Sequence, residues 1–147
     1  MGRIVAIDFG IKRIGVAISD PMKIIATSLG IVEAHRQAEG TVTLLLNKLA
    51  GYEIECMVIG QPLHMNGDVS FLADEIQHFI SLLEHKVSYK IELMDERLTT
   101  VQAERALREG NMSRKKRAKL VDSLSAVIIL QNYLSLADKT HFDANII

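Results

Sequence analysis

The segment Ile54-Glu55-Cys56-Met57-Val58-Ile59-Gly60 limits the fold more than any other part of the chain. It is nearly all apolar, so a strand built from it is buried on both faces. Such a strand sits inside a sheet covered by helices on each side. The flanking segments agree. Residues 3–9 and 14–20 are β-branched runs joined by Gly10-Ile11-Lys12-Arg13, a hairpin signal, and 24–33 and 90–95 read as further strands. Helical spacing marks 37–50 through Val42, Leu45, Leu46 and Leu49. A second helix follows residue 68, with Leu72, Ile76, Phe79, Ile80 and Leu83 on one stripe. Thr99 with Gln102 fits a capping box for a third helix ending at Gly110-Asn111, and 117–136 form the last. The expected order is β-β-β-α-β-α-β-α-α, an α/β fold with a mixed five-stranded sheet and helices on both faces.

Composition narrows the function classes. At 147 residues the chain has the size of one domain, expected over 1–138 with a polar tail at 139–147. Hydrophobic content of 48% with 24% charged residues reads as soluble and globular. The formal net charge is −1, so a nucleic-acid partner has to be held by a local patch. A single cysteine, Cys56, excludes an internal disulfide framework and a multi-cysteine zinc site, and its apolar setting reads as an inert buried thiol. There is no signal-peptide pattern and no apolar run near the ~20 residues of a membrane span. Ala6 stands where myristoylation after Met1-Gly2 would want Ser or Thr. The expectation is a cytoplasmic protein with no membrane contact, as a monomer or weak dimer.

Three acids sit where an apolar fold resists them. Alternation puts Asp8 in one row with Ile4 and Ala6, opposite Val5, Ile7 and Phe9. Asp122 shares a helix face with Ala118, Ala126 and Ile129. Glu96 closes a strand, and Asp95 beside it fits the same role equally well. Taken singly, each has a plain structural reading: Asp8 as the start of an Asx turn with Gly10, Asp122 as a carboxylate bonded to a buried donor, Glu96 as an ordinary strand end. Taken together, strand ends side by side under a helix bring three carboxylates within reach of one or two Mg²⁺ or Mn²⁺. Magnesium needs only two or three such ligands, because it retains waters. Divalent metals held this way serve phosphodiester hydrolysis.

Four segments carry a family resemblance. Asp8-Phe9-Gly10-Ile11-Lys12-Arg13-Ile14-Gly15-Val16-Ala17-Ile18-Ser19-Asp20 resembles the opening motif of the YqgF (RuvX) family. Gly60-Gln61-Pro62-Leu63-His64-Met65-Asn66-Gly67 resembles its loop motif, with Gln61 in place of the usual Leu and Asn66 in place of the usual Asp. Asp95-Glu96-Arg97-Leu98-Thr99-Thr100 and the run from Asp122 to Gln131 match its two remaining motifs. The resemblance implies a ribonuclease H-like fold related to the RuvC resolvases. It also implies a nuclease acting in 5′-end maturation of the small-subunit ribosomal RNA precursor, with pre-ribosomal particles as possible partners. An older label for the family is Holliday junction resolvase. The acidic positions carry over to Asp8, Glu96 and Asp122 as catalytic and metal-holding residues.

The phosphate grip has a candidate of its own. Arg105, Arg108, Arg114, Lys115, Lys116, Arg117 and Lys119 lie between residues 105 and 119, with Glu109 the only acid. This run leads into the helix that carries Asp122, so phosphates held there lie near the metals. Lys12, Arg13 and Arg97 are further candidates for substrate contact. No aromatics interleave with the patch, which favours recognition of backbone and shape. No GxGxxG, P-loop, HExxH or GxSxG pattern is present. The alternatives are a resolvase acting on branched DNA, a non-catalytic nucleic-acid-binding assembly factor, and an actin-like ATPase. The last normally needs two copies of the fold.

Overall fold

The computed structural model describes residues 2–61, 69–95 and 124–136. In chain order these are β1 (Arg3–Asp8), β2 (Arg13–Ser19), β3 (Ala26–Glu33), α1 (Ala38–Leu49), β4 (Ile54–Gln61), α2 (Val69–Glu84) and β5 (Lys90–Asp95). A further helix, α3, covers 124–136. The strands form one sheet in the order β3-β2-β1-β4-β5. The first three pair antiparallel through short turns. The pairs β1·β4 and β4·β5 are parallel, which requires the helical crossovers that α1 and α2 supply. The expected helix beginning at Thr99, residues 117–123 of the last helix, the 62–68 loop and the 139–147 tail lie outside the described residues.

Each face of the sheet has its own core. On one, Val5, Ile7, Ile14, Val16, Met57 and Ile59 meet Val42 and Leu45 of α1 and Ile76, Phe79 and Leu83 of α2. On the other, Ile4, Ala6, Ala17, Cys56 and Val58 meet Ala126, Ile129, Leu130 and Leu134 of α3. Met57, Val58 and Ile59 are all completely buried, as the unbroken apolar run requires. Truncating Leu45 or Phe79 to alanine costs about 2–5 kcal/mol. The strand side chains beneath α3 include Ala6, Ala17 and Cys56 and are smaller than those on the other face.

The start of β3 differs from the sequence expectation. Ile24 and Ile25 belong to the β2–β3 turn and stand 68% and 61% exposed. Their backbone N–H groups donate to the Asp20 carboxylate at 2.7 Å each, and Met22 N–H donates to it at 3.1 Å. A side-chain acceptor has taken amides that a sheet ladder would otherwise use. The Ile25 amide, helped by those of Ile24 and Met22, holds Asp20 below the usual carboxylate range. Next to this turn, Ser19 is buried and its hydroxyl accepts from Ile4 N–H at 2.9 Å, which ties β2 back to β1.

Candidate active site

Asp8 is the last residue of β1 and is 8% exposed. Its row on the strand, Ile4 and Ala6, packs into the core beneath α3, so Asp8 continues that row at the strand's end. Its register partners are Gly15 on β2 and Gly60 on β4. A buried carboxylate thus has no side chain at either lateral position in the sheet. The motif reading did not single out these two glycines. The signal was available: an isolated glycine within a strand pattern marks a close approach of something else. What was missing was the register, which no single strand reveals.

The turn after Asp8 is tightly built. A Cβ on Gly10 would lie 2.6 Å from the Arg13 carbonyl oxygen, so only glycine fits there. The Lys12 carbonyl accepts from Ala34 N–H at 2.9 Å, which ties the turn to the end of β3. Lys12 is exposed and Arg13 half-buried, and both lie at the sheet end where β1 finishes.

The structure therefore brings Asp8, Lys12 and Arg13 to one end of the sheet. Glu96, Asp122, Arg97, Arg114, Lys115, Lys116, Arg117 and Lys119 lie outside the described residues. Accordingly, no group of three metal-ligating side chains occurs among the described residues.

Helix α3, on the sheet face that Asp8 shares with Ile4 and Ala6, is anchored through Tyr133. Tyr133 of α3 hydrogen-bonds Glu92 and lies 3.9 Å from the Cys56 thiol. Lys90, ion-paired to Glu92 at 2.5 Å, and the Tyr133 hydroxyl hold that carboxyl below its ordinary range. Burial pushes the Tyr133 phenol and the Cys56 thiol upward, so both stay protonated at neutral pH, and Cys56 has the character of an inert thiol. Ala126, two turns before Tyr133, is fully buried against the sheet. Ala126 and Ile129 share one core with Ile4 and Ala6 of β1. Near the start of α3 the Ser125 hydroxyl is completely buried and has no hydrogen-bond partner among the described residues. Such an atom calls for a polar ligand, water or ion.

Comparison with known proteins agrees with this architecture. The family model described as "RuvX: Holliday junction resolvase" matches residues 2–136. A Protochlamydia amoebophila protein named "Putative pre-16S rRNA nuclease" is 53% identical, over 90% of this chain and 92% of its own. A Clostridium acetobutylicum protein of the same name is 42% identical, over 90% of this chain and 98% of its own. Among solved structures, T. thermophilus RuvC in complex with a Holliday junction substrate superposes with a TM-score of 0.55. It is 15% identical and covers 93% of this chain and 96% of that one, a likeness of fold. No helix among the described residues is long and apolar enough to cross a membrane. The chain belongs to the RuvX family and is a nuclease of ribonuclease H-like fold.

Proposed function

We propose that this nuclease depends on a divalent metal, Mg²⁺ or Mn²⁺, held by Asp8, Glu96 and Asp122, and that it trims the 5′ end of pre-16S rRNA in the cytoplasm. The observation that carries the reading is Asp8 itself, a buried carboxylate at a strand end with glycine on both sides. A carboxylate placed there costs stability unless a cation or strong donors meet it.

Two extrapolations support the other ligands. Met94 packs beneath α3 and Ile91 packs on the opposite face. Strand parity carried past Met94 therefore favours Glu96 over Asp95 as the partner of Asp8. On α3, Ala126 and Ile129 face the sheet, and 122 is one and two turns earlier on the same stripe. The orphaned Ser125 hydroxyl, one turn from 122, suits a hydrated ion beside it.

The donor set is all carboxylate oxygen, which fits a hard divalent cation. When bound, such an ion neutralises charge developing on the phosphoryl oxygens and eases deprotonation of the attacking water. The chain's own cations do the rest. Lys12, Arg13, Arg97 and the run Arg114–Lys119 neutralise flanking phosphates and hold the strand in register with Asp8. One domain over 1–138 suffices for this set, with 139–147 as a tail.

The RNA reading rests on the names of the relatives. The description of the family model favours a second substrate, a four-way DNA junction. The test is cleavage of a pre-16S 5′ fragment and of a four-way junction, with Mg²⁺, Mn²⁺ or EDTA, by wild type and Asp8→Asn. Metal-dependent cutting of the RNA that Asp8→Asn abolishes is the expected result. Equal rates for the two proteins would remove Asp8 from catalysis. Tight RNA binding with no cutting under any metal would make the chain an assembly factor.

A further inference from the structure

A second site opens beside the first, on the opposite face of the sheet. Phe9, the residue after Asp8, lines a cavity of about 130 Å³ together with His35, Arg36, Thr41, Glu75 and Phe79. The walls come from the end of β1, the β3–α1 connection, α1 and α2. Phe9 and Phe79 form a tilted aromatic pair with ring centroids 5.1 Å apart. Phe79 is almost fully buried and Phe9 half-buried, so the pair backs a pocket that remains open at its rim.

The polar rim is held in place. His35 N–H donates to the buried Thr41 hydroxyl at 2.8 Å. The His35 ring Nδ1 accepts from Gln37 N–H at 3.1 Å, which leaves Nε2–H as the donor of the neutral ring. A Cβ on Gly40 would come within 2.4 Å of that ring, so glycine permits its packing. Arg36 is exposed and supplies a planar cation, and Glu75 supplies a carboxylate acceptor.

We propose that this cavity takes one unpaired pyrimidine base of the substrate strand, on the nucleotide next to the phosphate held at Asp8. An apolar cavity of comparable size accommodates a benzene-sized ring, which sets the limit at a single ring. The lining combines an aromatic wall for stacking with donors at His35 and Arg36 and an acceptor at Glu75. An unpaired base read on its edge needs this set. The β1–β2 turn follows Asp8 directly and contributes Gly10 and Ile11 to the cavity wall, so a backbone joining the two would pass along it. The inference rests on the nuclease reading for its substrate class, and it adds a base-reading component to backbone recognition.

The test is equilibrium binding in EDTA, where no cleavage can occur, so its outcome is separate from that of the metal mechanism. The full chain is titrated with hexacytidylate, hexaadenylate and an abasic hexamer of the same backbone. Hexacytidylate is expected to bind about tenfold more tightly than the abasic strand, and hexaadenylate to lose most of that gain. In a parallel measurement, cytidine 5′-monophosphate should shift the backbone amide signals of Gly10, His35 and Arg36, whereas ribose 5-phosphate should not. Equal affinity for the abasic and cytidine strands, or amide shifts that are the same for both small ligands, would overturn the base site. Hexaadenylate binding as tightly as hexacytidylate would overturn its limit to a pyrimidine.

Discussion

Asp8 and Asp20 lie at opposite ends of the same hairpin and do opposite things. Asp20 is solvent-accessible, yet three backbone amides converge on its carboxylate and fold the turn that follows. Its surroundings account for its presence in full. Asp8 is buried, flanked by glycine on both neighbouring strands and aligned with a row of apolar side chains. The lesson is that the acid serving the fold is wrapped in amides, whereas the acid proposed to hold metal lies between two strand glycines.

The largest expected effect that separates the two ends is catalytic. Asp8→Asn should lower single-turnover cleavage by more than about a hundredfold, while thermal unfolding in EDTA stays at or above the wild-type temperature. Asp20→Asn should cut at the wild-type rate. Next, Mn²⁺ at about a hundred times its dissociation constant should stabilise wild type by about 2.7 kcal/mol, and Asp8→Asn by far less, read from urea denaturation. Gly10→Ala forces a Cβ against the Arg13 carbonyl oxygen and should cost about 1–3 kcal/mol in the same assay.

The smallest effect is a pH dependence. The folded pKa of Asp20 lies below its ordinary value of 3.8. Its contribution to stability is therefore present above that value and is lost as pH falls through the folded pKa. Asp20→Ala should be less stable than wild type near neutral pH, and the gap should close on acidification, measured by urea denaturation at successive pH values. A gap that stays constant down to acid pH would mean that the ionised carboxylate does not hold the turn.

The sheet was largely legible because alternation and unbroken apolar runs are local signals. Ile4, Ala6 and Asp8 against Val5, Ile7 and Phe9 separate onto the two cores as strand periodicity requires. The start of β3 was not legible. Ile24 and Ile25 have strong strand preference, but the Asp20 carboxylate captures their amides in the folded chain. In the site, Asp8 stood out by its residue type alone. The glycines beside it were visible only once β1, β2 and β4 were in register. The choice between Asp95 and Glu96 needs the face of Met94, a tertiary fact. The cavity behind Phe9 joins β1, α1, α2 and the β3–α1 connection, and no stretch of sequence contains it.

Calorimetric titration with Mn²⁺ of wild type, Asp8→Asn and Asp20→Asn tests the central contrast most directly. The account predicts that Asp20→Asn binds the ion like wild type and that Asp8→Asn loses most of that binding while remaining folded. Unchanged binding by Asp8→Asn, or an equal loss in Asp20→Asn, would contradict it.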